Sequence, residues 1–408
     1  MSRINALAAG IAVVLTLGLA RMTTGQVTQN ATASKSTDGE KKTDPMKNGP
    51  DWLMNRQDWE RMHQSNASYL ANVTRVQQEM DRFKNDAYWS GTLLQLLGTE
   101  YSWVGRHQKA LECFDLQYYS RSKKPAQLVD ADRFEPCDAV AAILELADKH
   151  RVVMINEAHH VPLHRAFTLQ LLEGLHRKGF RYFAAETLLA GDDTLQTRGY
   201  PTLKTGGYTA EPVYADLVRT ALSLGYKVTP YECEDSLSPQ TDNPVPAMNV
   251  REQGQARNLK ERILDKDPNA KIIVHADFAH IYKKPQINKL GELHWMALVF
   301  QELSCIEPLS IDQTEMSETN KPENENADYR FAIDKGLVKD RPVVLRDTEK
   351  GSYFVRTADG DFYDLTVIHP RTHYENGRPT WLAMEGRRTG TAPALGLRAG
   401  TMSHAGRG

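Results

Sequence analysis

Residues from about 138 to 305 alternate between apolar runs of strand length and amphipathic segments of helix length. The runs "RVVMIN", "RYFAAE", "YKVTPYE" and "KIIVHA" each predict a buried strand. The intervening segments predict helices, one capped by Asp138, one starting near Pro162 and ending at Gly179, and one ending at Gly225. "ELHWMALVFQEL" predicts a further helix after the last strand. Repeated strand–helix units predict an α/β fold with a mainly parallel sheet and flanking helices.

The regions on either side of this alternating core have different patterns. Residues 51–135 predict a helical module, residues 136–312 the α/β core domain, residues 313–386 a small β-rich C-terminal segment with antiparallel pairing, and residues 387–408 a disordered tail.

The helical module contains one unit, at about residues 91–124, that resembles a tetratricopeptide repeat. Gly98 and Ala110 are the small residues that would let its two helices pack closely. An ordinary helical hairpin is the alternative, because no second copy of the unit is found. Either structure makes the module a candidate surface for a protein partner.

The N-terminus predicts export. Arg3 precedes a short apolar run, so residues 1–25 are typical of a signal peptide, and residues 26–50 of a disordered linker. A retained membrane tether is the alternative. Both place the protein outside the cytoplasm, in the periplasm or secreted. An oxidising compartment would allow a disulfide, for which Cys113–Cys137 is the expected pair, although four free thiols are also compatible with the sequence.

Composition and missing motifs exclude several functions. A net charge of −2 and a pI near 6.7 give no reason to expect nucleic acid as a partner. The sequence has no CxxC, HExxH or GxSxG motif and no phosphate-binding glycine loop. A small molecule or a peptide is the expected substrate class.

Acids and imidazoles follow all four predicted strands. Parallel strands place their carboxyl ends at one edge of the sheet, where such folds bind ligands. The residues at these ends are Glu157, His159 and His160; Glu186; Glu232, Glu234 and Asp235; and His275, Asp277 and His280. Such a cluster suits general acid–base chemistry, or a metal ion with a coordinated water.

A family resemblance is carried by the same residues. "INEAHH" resembles the G-E-x-x-H motif of erythromycin-esterase-like hydrolases, in a wider group with ChaN-like haem-binding lipoproteins and Tiki-type metalloproteases. "YFAAE", "REQGQARNL" and "VHADFAHI" resemble the later motifs in the same order, so the similarity covers about residues 150–305. The sequence departs from the pattern at Asn156, where the family has glycine. His159 matches the histidine of the shorter G-E-x-H form of the ChaN-like branch, so the branch stays open.

The resemblance implies a function and roles for individual residues. His160 would be the general base that activates water, and Glu157, Glu186 and His280 would complete the catalytic group. A second set is predicted to contact the substrate: His159, Arg165, Arg251, Glu232 and His275. For His275 a buried structural role is the alternative, and for Arg165 a solvated one. The sequence thus predicts an exported hydrolase of esters, lactones or amides that requires no cofactor. The alternatives are a haem- or metal-binding protein of the ChaN-like type and an interaction scaffold with an inactive core.

Overall fold

The computed structural model describes a large part of the chain: residues 49–50, 69–117, 126–233, 243, 245–356 and 362–386. The chain forms two compact units, residues 1–371 and residues 372–408. The predicted signal peptide, the predicted tail and most of the predicted linker lie outside the described residues. Among the described helices, none is long and apolar enough to cross a membrane.

Three helices precede the sheet: α1 Tyr69–Arg82, α2 Ala87–Trp103 and α3 His107–Gln117. A Cβ atom added at Gly98 of α2 would lie 2.7 Å from the ring of Phe114 and 3.2 Å from the carbonyl oxygen of Ala110, both on α3. The close approach of two helices at Gly98 and Ala110 is therefore confirmed.

The remaining elements of the first unit follow in chain order. They are β1 Phe134–Asp138, α4 Ala139–Leu146, β2 Val152–Glu157, α5 Pro162–Arg177, β3 Tyr182–Ala185, α6 Leu195–Arg198, α7 Pro212–Ser223, β4 Lys227–Pro230, α8 Val245–Leu259, β5 Ile272–Asp277, β6 Gln286–Asn288, β7 Gly291–Leu293, α9 Met296–Ser304, β8 Leu309–Asp312, α10 Ala327–Asp334, β9 Val343–Asp347 and β10 Leu365–Thr366.

The main sheet confirms the predicted fold class. Within the described residues it has six strands in the order β10-β8-β2-β5-β3-β4, and every neighbouring pair is parallel. Every residue of β2 and β5 is buried, as expected for strands with helices on both faces. Strand β5 lies between β2 and β3, so the carboxyl ends of these three strands are neighbours.

Four helix ends around the sheet fall at the residues that the sequence indicates. Asp138 accepts a hydrogen bond from the backbone N–H of Ala141 and caps α4, and Pro162 occupies the first turn of α5. Gly179 and Gly225 follow α5 and α7 with φ of +90° and +87°. This left-handed conformation favours glycine, because it carries no Cβ.

Two elements differ from the sequence prediction. The helix expected from Glu292 begins only at Met296, because β7 pairs with β6 in an antiparallel hairpin. Strand β8, with the sequence "LSID", was not predicted, since its four residues lack a long β-branched run.

The segment after β8 contributes to two sheets. Strand β9 pairs antiparallel with β1, and β10 adds a parallel strand beside β8. In the second unit, β11 Tyr374–Glu375 and β12 Arg378–Pro379 form an antiparallel hairpin.

All four cysteines are free thiols. Cys113 is buried in the apolar cluster of α1, α2 and α3, whereas Cys137 lies on β1 opposite β9. The predicted Cys113–Cys137 disulfide is therefore not formed.

Candidate functional site

The carboxyl ends of the three central strands place their polar side chains at one edge of the sheet. Glu157 at the end of β2 is opposite Asp277 at the end of β5. On the other side of β5, Glu186 follows β3, and its backbone N–H donates to the carbonyl of His275 at 2.9 Å. Parallel sheets bind ligands at this edge. The acids and imidazoles therefore meet where the strand pattern places a site.

One buried group, the Arg165 cluster, consists of Arg165, Glu157, Glu211 and His275. The guanidinium of Arg165 donates from Nε and Nη2 to the two oxygens of Glu157, both at 2.6 Å, and from Nη1 to Glu211 Oε2 at 3.1 Å. Nη2 also donates to the carbonyl of His159 at 3.2 Å, and His275 Nε2 lies 2.7 Å from Glu157 Oε2. Bidentate pairing of this kind fixes the geometry as well as the charge.

The Arg165 cluster ties two helices to the sheet. Arg165 lies on the first turn of α5, and Glu211 caps α7 by accepting two backbone N–H groups at 2.9 and 2.6 Å. Burial opposes ionisation of Glu157, but Arg165 and His275 hold the pKa of this carboxyl well below its usual range. Arg165 has no exposed surface and His275 is 1% exposed. The predicted substrate-binding roles of Arg165 and His275 do not fit this saturated arrangement.

A second buried group lies at the ends of β3, β4 and β5. This Asp277 cluster consists of Asp277, His159, Glu186, Glu232, Arg251 and His280. Arg251 on α8 donates from Nη2 to Glu186 Oε1 at 2.6 Å and to Glu232 Oε2 at 2.8 Å, and from Nε to Glu232 Oε1 at 3.0 Å. Glu186 Oε2 accepts the backbone N–H of Asp277 at 2.7 Å. Arg251 therefore fixes the two glutamates, and Glu186 fixes the end of β5.

His280 is oriented by a carboxylate on α8. Its Nδ1 lies 2.7 Å from Glu252 Oε2, which also accepts the backbone N–H of Met296. Burial opposes protonation, but Glu186 and Glu252 raise the pKa of His280 to about 9. Both ring nitrogens then carry protons at neutral pH. The 3.3 Å approach of Arg251 Nη1 to Nε2 is therefore a contact between two donors, and Nε2 faces Glu186 Oε1 at 3.4 Å.

The pair formed by His159 and Asp277 differs from the rest of the site. His159 Nε2 contacts Asp277 Oδ2 without the direction of a hydrogen bond, and its Nδ1 lies 3.5 Å from Glu157 Oε1. Apart from these two ion-pair contacts, the ring nitrogens of His159 and the carboxylate oxygens of Asp277 have no polar partner among the described residues. The two residues are 3% and 1% exposed. They form a sparsely bonded ion pair in a site that is otherwise densely bonded.

Burial and neighbouring charges shift the pKa of both members of this pair. Burial opposes charge on His159, but Asp277 and Glu157 raise its pKa to about 9. Burial raises the pKa of Asp277, His159 offsets part of that rise, Glu186 adds to it, and the result is about 6. Between these two values the pair is a carboxylate beside an imidazolium. A base and an acid poised on either side of neutral pH are what acid–base catalysis needs.

His160, the predicted general base, has a different environment. Its ring stacks on the ring of Phe114 from α3, with centroids 3.4 Å apart and planes inclined by 9°. No hydrogen bond or ion pair joins it to Glu186 among the residues that the structure describes. The predicted convergence of His160 and Glu186 is thus not accompanied by a direct contact, whereas the adjacent His159 contacts Asp277 of the cluster.

Several residues of the site were not predicted to have a role. Asp277 was recognised as a strand-end residue only, and Glu252 and Glu211 were not singled out. The position of Glu211 before Pro212, a helix-start pattern, was an available indication. Glu234 and Asp235, which follow β4, lie outside the described residues.

The departure at Asn156 has a structural explanation. Its buried side-chain amide donates to the carbonyl of Phe278 and to Asp312 Oδ1, both at 2.9 Å, and its Oδ1 accepts the backbone N–H of Gln313. A glycine would leave these groups without Asn156 as a partner. Asn156 therefore joins β2 to β8 and to the turn after β5.

Three residues of the Asp277 cluster carry atoms of the kind that bind metal ions. Glu186, Asp277 and His280 each bring one potential ligand atom within 4.8 Å of the other two. However, Arg251 lies 2.6 Å from Glu186 and 3.3 Å from His280 Nε2. A guanidinium at this distance opposes a second cation by charge repulsion. These residues fit a divalent ion only if Arg251 leaves them.

Comparisons with known proteins identify no family. No protein-family model matches the chain, and no curated protein matches it. Remote likenesses to solved structures include one described as bacterial protein toxins, with 13% identity and a TM-score of 0.35 over 59% of this chain and 48% of that chain. Another is the type III effector HopBA1, with 12% identity and a TM-score of 0.35 over 59% and 99%.

A third likeness is to RRSP, a MARTX toxin effector domain from Vibrio vulnificus CMCP6, with 15% identity and a TM-score of 0.32 over 55% of this chain and 44% of that chain. This chain spans about half the length of the first of these structures. TM-scores of this size support no inference about function, which has to be argued from the site itself.

Proposed function

We propose that the protein is a hydrolase that cleaves an ester, a lactone or an amide with water activated by the pair of His159 and Asp277. The observation that carries the proposal is the buried carboxylate of Asp277, which contacts an imidazole and has no hydrogen bond from the described residues. Leaving a buried polar group unsatisfied costs about 1–3 kcal/mol. A role in catalysis accounts for an arrangement that stability alone disfavours.

The proposed reaction begins with Asp277 as general base. Its carboxylate accepts a proton from water while the water oxygen attacks the carbonyl carbon of the substrate. Protonated His159 then donates its proton to the departing oxygen or nitrogen as the bond to the acyl carbon breaks. The proton held by Asp277 passes to His159 through their contact, which restores the pair.

The rest of the Asp277 cluster has positioning and electrostatic roles in this proposal. Glu186 holds the backbone of Asp277 through the 2.7 Å hydrogen bond, and Arg251 holds Glu186. His280 supplies a second imidazolium beside the reacting groups, and a preorganised positive charge stabilises the oxyanion that forms when water attacks.

The sequence resemblance to erythromycin-esterase-like hydrolases supports the same function. In the esterase branch the matching histidine is His160, and the shorter G-E-x-H spacing that matches His159 belongs to the ChaN-like branch. The assignment of His159 as the catalytic histidine therefore rests on its contact with Asp277 and not on the resemblance. The proposal specifies the scissile bond and leaves the substrate's other groups open.

The test uses purified protein and a panel of p-nitrophenyl esters, small lactones and p-nitroanilides. Asp277→Asn is expected to lower turnover by about 10²–10⁴, the usual effect of removing a general base. Asp347→Asn is the matched control, because Asp347 on β9 pairs with Arg133, which precedes β1, and neither residue belongs to the two clusters. Full turnover in Asp277→Asn would contradict the proposal.

Two other measurements separate this function from binding without catalysis. Metal analysis of the purified protein is expected to give less than stoichiometric metal, and a chelator should leave turnover unchanged. A haem absorption band on reconstitution, with no hydrolysis across the panel, would favour the haem-binding alternative.

Location outside the cytoplasm belongs to the same proposal and is tested separately. Residues 1–50 fused to a reporter that is active only outside the cytoplasm should give an active reporter. A silent reporter would remove export from the proposal without affecting the chemistry.

A further inference from the structure

Tyr208 lies between the candidate site and the helices that precede the sheet. Its ring meets the ring of His159 edge-on, with centroids 5.0 Å apart and planes at 80°. Trp103 at the end of α2 approaches its other side at 6.1 Å. Tyr208 is half-buried, whereas His159 and Asp277 are buried. Tyr208 is therefore the more solvent-accessible neighbour of the reacting pair.

The turn that carries Tyr208 is held in place from several sides. It spans Gly207–Ala210, and the hydroxyl of Tyr69 on α1 donates to the carbonyl of Ala210 at 3.1 Å. Gly206 has φ of +154°, and a Cβ atom there would lie 2.3 Å from the carbonyl oxygen of Thr187. Only glycine allows the turn to approach the residue after Glu186 so closely.

The ring of Tyr208 is fixed, but its hydroxyl has no partner in the described structure. The guanidinium of Arg165 lies over the ring at 5.5 Å, and the ring of Tyr214 meets it edge-on at 6.2 Å. By contrast, the hydroxyls of Tyr214 and Tyr226 donate to the backbone carbonyls of Glu186 and Leu172 at 2.5 and 2.6 Å.

The hydroxyl of Tyr208 also keeps its proton. Burial and the carboxylate of Asp277 raise the pKa of Tyr208 well above its usual range, with smaller contributions from Glu157 and Glu186. A protonated hydroxyl on a ring that contacts His159 can donate a hydrogen bond to an oxygen of a bound molecule.

We infer that Tyr208 is a further catalytic residue, whose hydroxyl donates a hydrogen bond to the carbonyl oxygen of the substrate. This inference rests on the proposed hydrolysis. As water attacks the carbonyl carbon, the carbon–oxygen double bond becomes a single bond and the oxygen gains negative charge. Tyr208 stabilises that oxyanion by a hydrogen bond and retains its own proton, so no proton transfer to Tyr208 is needed. His159 and Asp277 remain responsible for the two proton transfers.

Tyr208→Phe tests the inference, because it removes the hydroxyl and keeps the ring between His159 and Trp103. With the p-nitrophenyl ester that the wild type turns over best, kcat is expected to fall by about 10²–10³, the cost of one oxyanion donor. KM should change little, because an interaction made only in the transition state leaves ground-state binding intact. The melting temperature should match that of the wild type.

Tyr226→Phe is the matched control. It removes a hydroxyl that donates to Leu172, and its kcat should equal that of the wild type. Unchanged kcat in Tyr208→Phe, an increase in KM alone, or equal losses in both variants would overturn the role of Tyr208. Asp277→Asn measured in parallel separates the two proposals. If Asp277→Asn is inactive and Tyr208→Phe is fully active, only the inference fails; if Asp277→Asn is fully active, or the wild type hydrolyses nothing, the proposed function fails and the inference with it.

Discussion

Two buried clusters, each with an arginine between two glutamates and at least one histidine, lie at the ends of neighbouring strands and differ in how their carboxylates are bonded. In the Arg165 cluster, the guanidinium binds both Glu157 and Glu211, and His275 binds the same Glu157. In the Asp277 cluster, an arginine again binds two glutamates, but Asp277 has no hydrogen bond to its carboxylate from the described residues.

The difference separates a structural ion-pair network from a reactive one. A satisfied carboxylate has a low pKa and no reason to take a proton from water at neutral pH. A buried and unsatisfied carboxylate has a raised pKa and is a better base near neutrality. Both clusters combine arginine, glutamate and histidine beside strand ends, so neither this composition nor this position alone indicates catalysis. The number of hydrogen bonds to each carboxylate is what distinguishes them.

Exchanging one carboxylate for an amide in each cluster should give the largest difference in turnover between two variants. Asp277→Asn is expected to lose about 10²–10⁴ in kcat/KM with little change in unfolding free energy. Glu211→Gln should keep its activity and lose about 1–3 kcal/mol of stability, because it weakens the bond to Arg165 and the cap of α7. Turnover on the ester panel and urea unfolding measure both. Similar activity losses in the two variants would erase the distinction.

Removing the guanidinium of the Arg165 cluster should mainly affect folding. Arg165→Met leaves Glu157 and Glu211 buried near each other without a compensating positive charge. The free energy of unfolding is expected to fall by about 3–5 kcal/mol. The double variant Arg165→Met/Glu157→Gln should recover part of the loss, because one uncompensated charge is gone. Urea unfolding checks this. A single variant as stable as the wild type would show that the cluster is not structural.

The pH dependence of turnover should report the titration of Asp277 and His159. Asp277 must be ionised to accept a proton, so activity should rise as the pH passes about 6. His159 must be protonated to donate one, so activity should fall as the pH passes about 9. In His159→Gln the acid limb should move to higher pH, because the imidazolium that lowers the pKa of Asp277 is gone. A rate that stays constant from about pH 5 to about pH 10 would contradict the roles of Asp277 as base and His159 as acid.

A smaller effect is expected beside the Asp277 cluster, where the backbone is strained. Thr187 follows Glu186 with φ of +68°, an uncommon conformation for a β-branched residue. Thr187→Gly should stabilise the fold by about 0.5–1 kcal/mol, since relief of strain exceeds the entropy that glycine loses on folding. Urea unfolding at pH 7 measures the change. A loss of stability would mean that the threonine side chain contributes more than the strain costs.

The sequence predicted the sheet better than it predicted the chemistry of the site. Strands β2 and β5 are uninterrupted apolar runs, and Pro162 and Gly179 mark the ends of α5, so local composition determines these elements. Strand β8 was missed because four residues carry little pattern. The strand-end rule placed Glu157, Glu186 and His280 correctly, since it depends on strand order alone.

The structure gives the two adjacent histidines different neighbours, and the catalytic role predicted for His160 stays a prediction. His159 and His160 occupy adjacent positions of one turn, and the local backbone decides which ring meets Asp277 and which stacks on Phe114. The pairing of Arg165 with Glu211 depends on where α7 begins in space, 46 positions later in the chain. Sequence spacing contains neither kind of information. The Arg165 cluster and the Asp277 cluster could therefore not be distinguished from the sequence.

Titration of Asp277 itself, which requires no substrate, tests the difference between the two clusters most directly. Protein labelled with ¹³C at the aspartate carboxyl carbons is titrated by NMR, and the resonance of Asp277 is assigned by its absence from Asp277→Asn. The carboxyl group of Asp277 is expected to titrate with a midpoint at about pH 6. A midpoint near 4 or below, about the ordinary value for an aspartate, would show a satisfied carboxylate and contradict the central distinction between the two clusters.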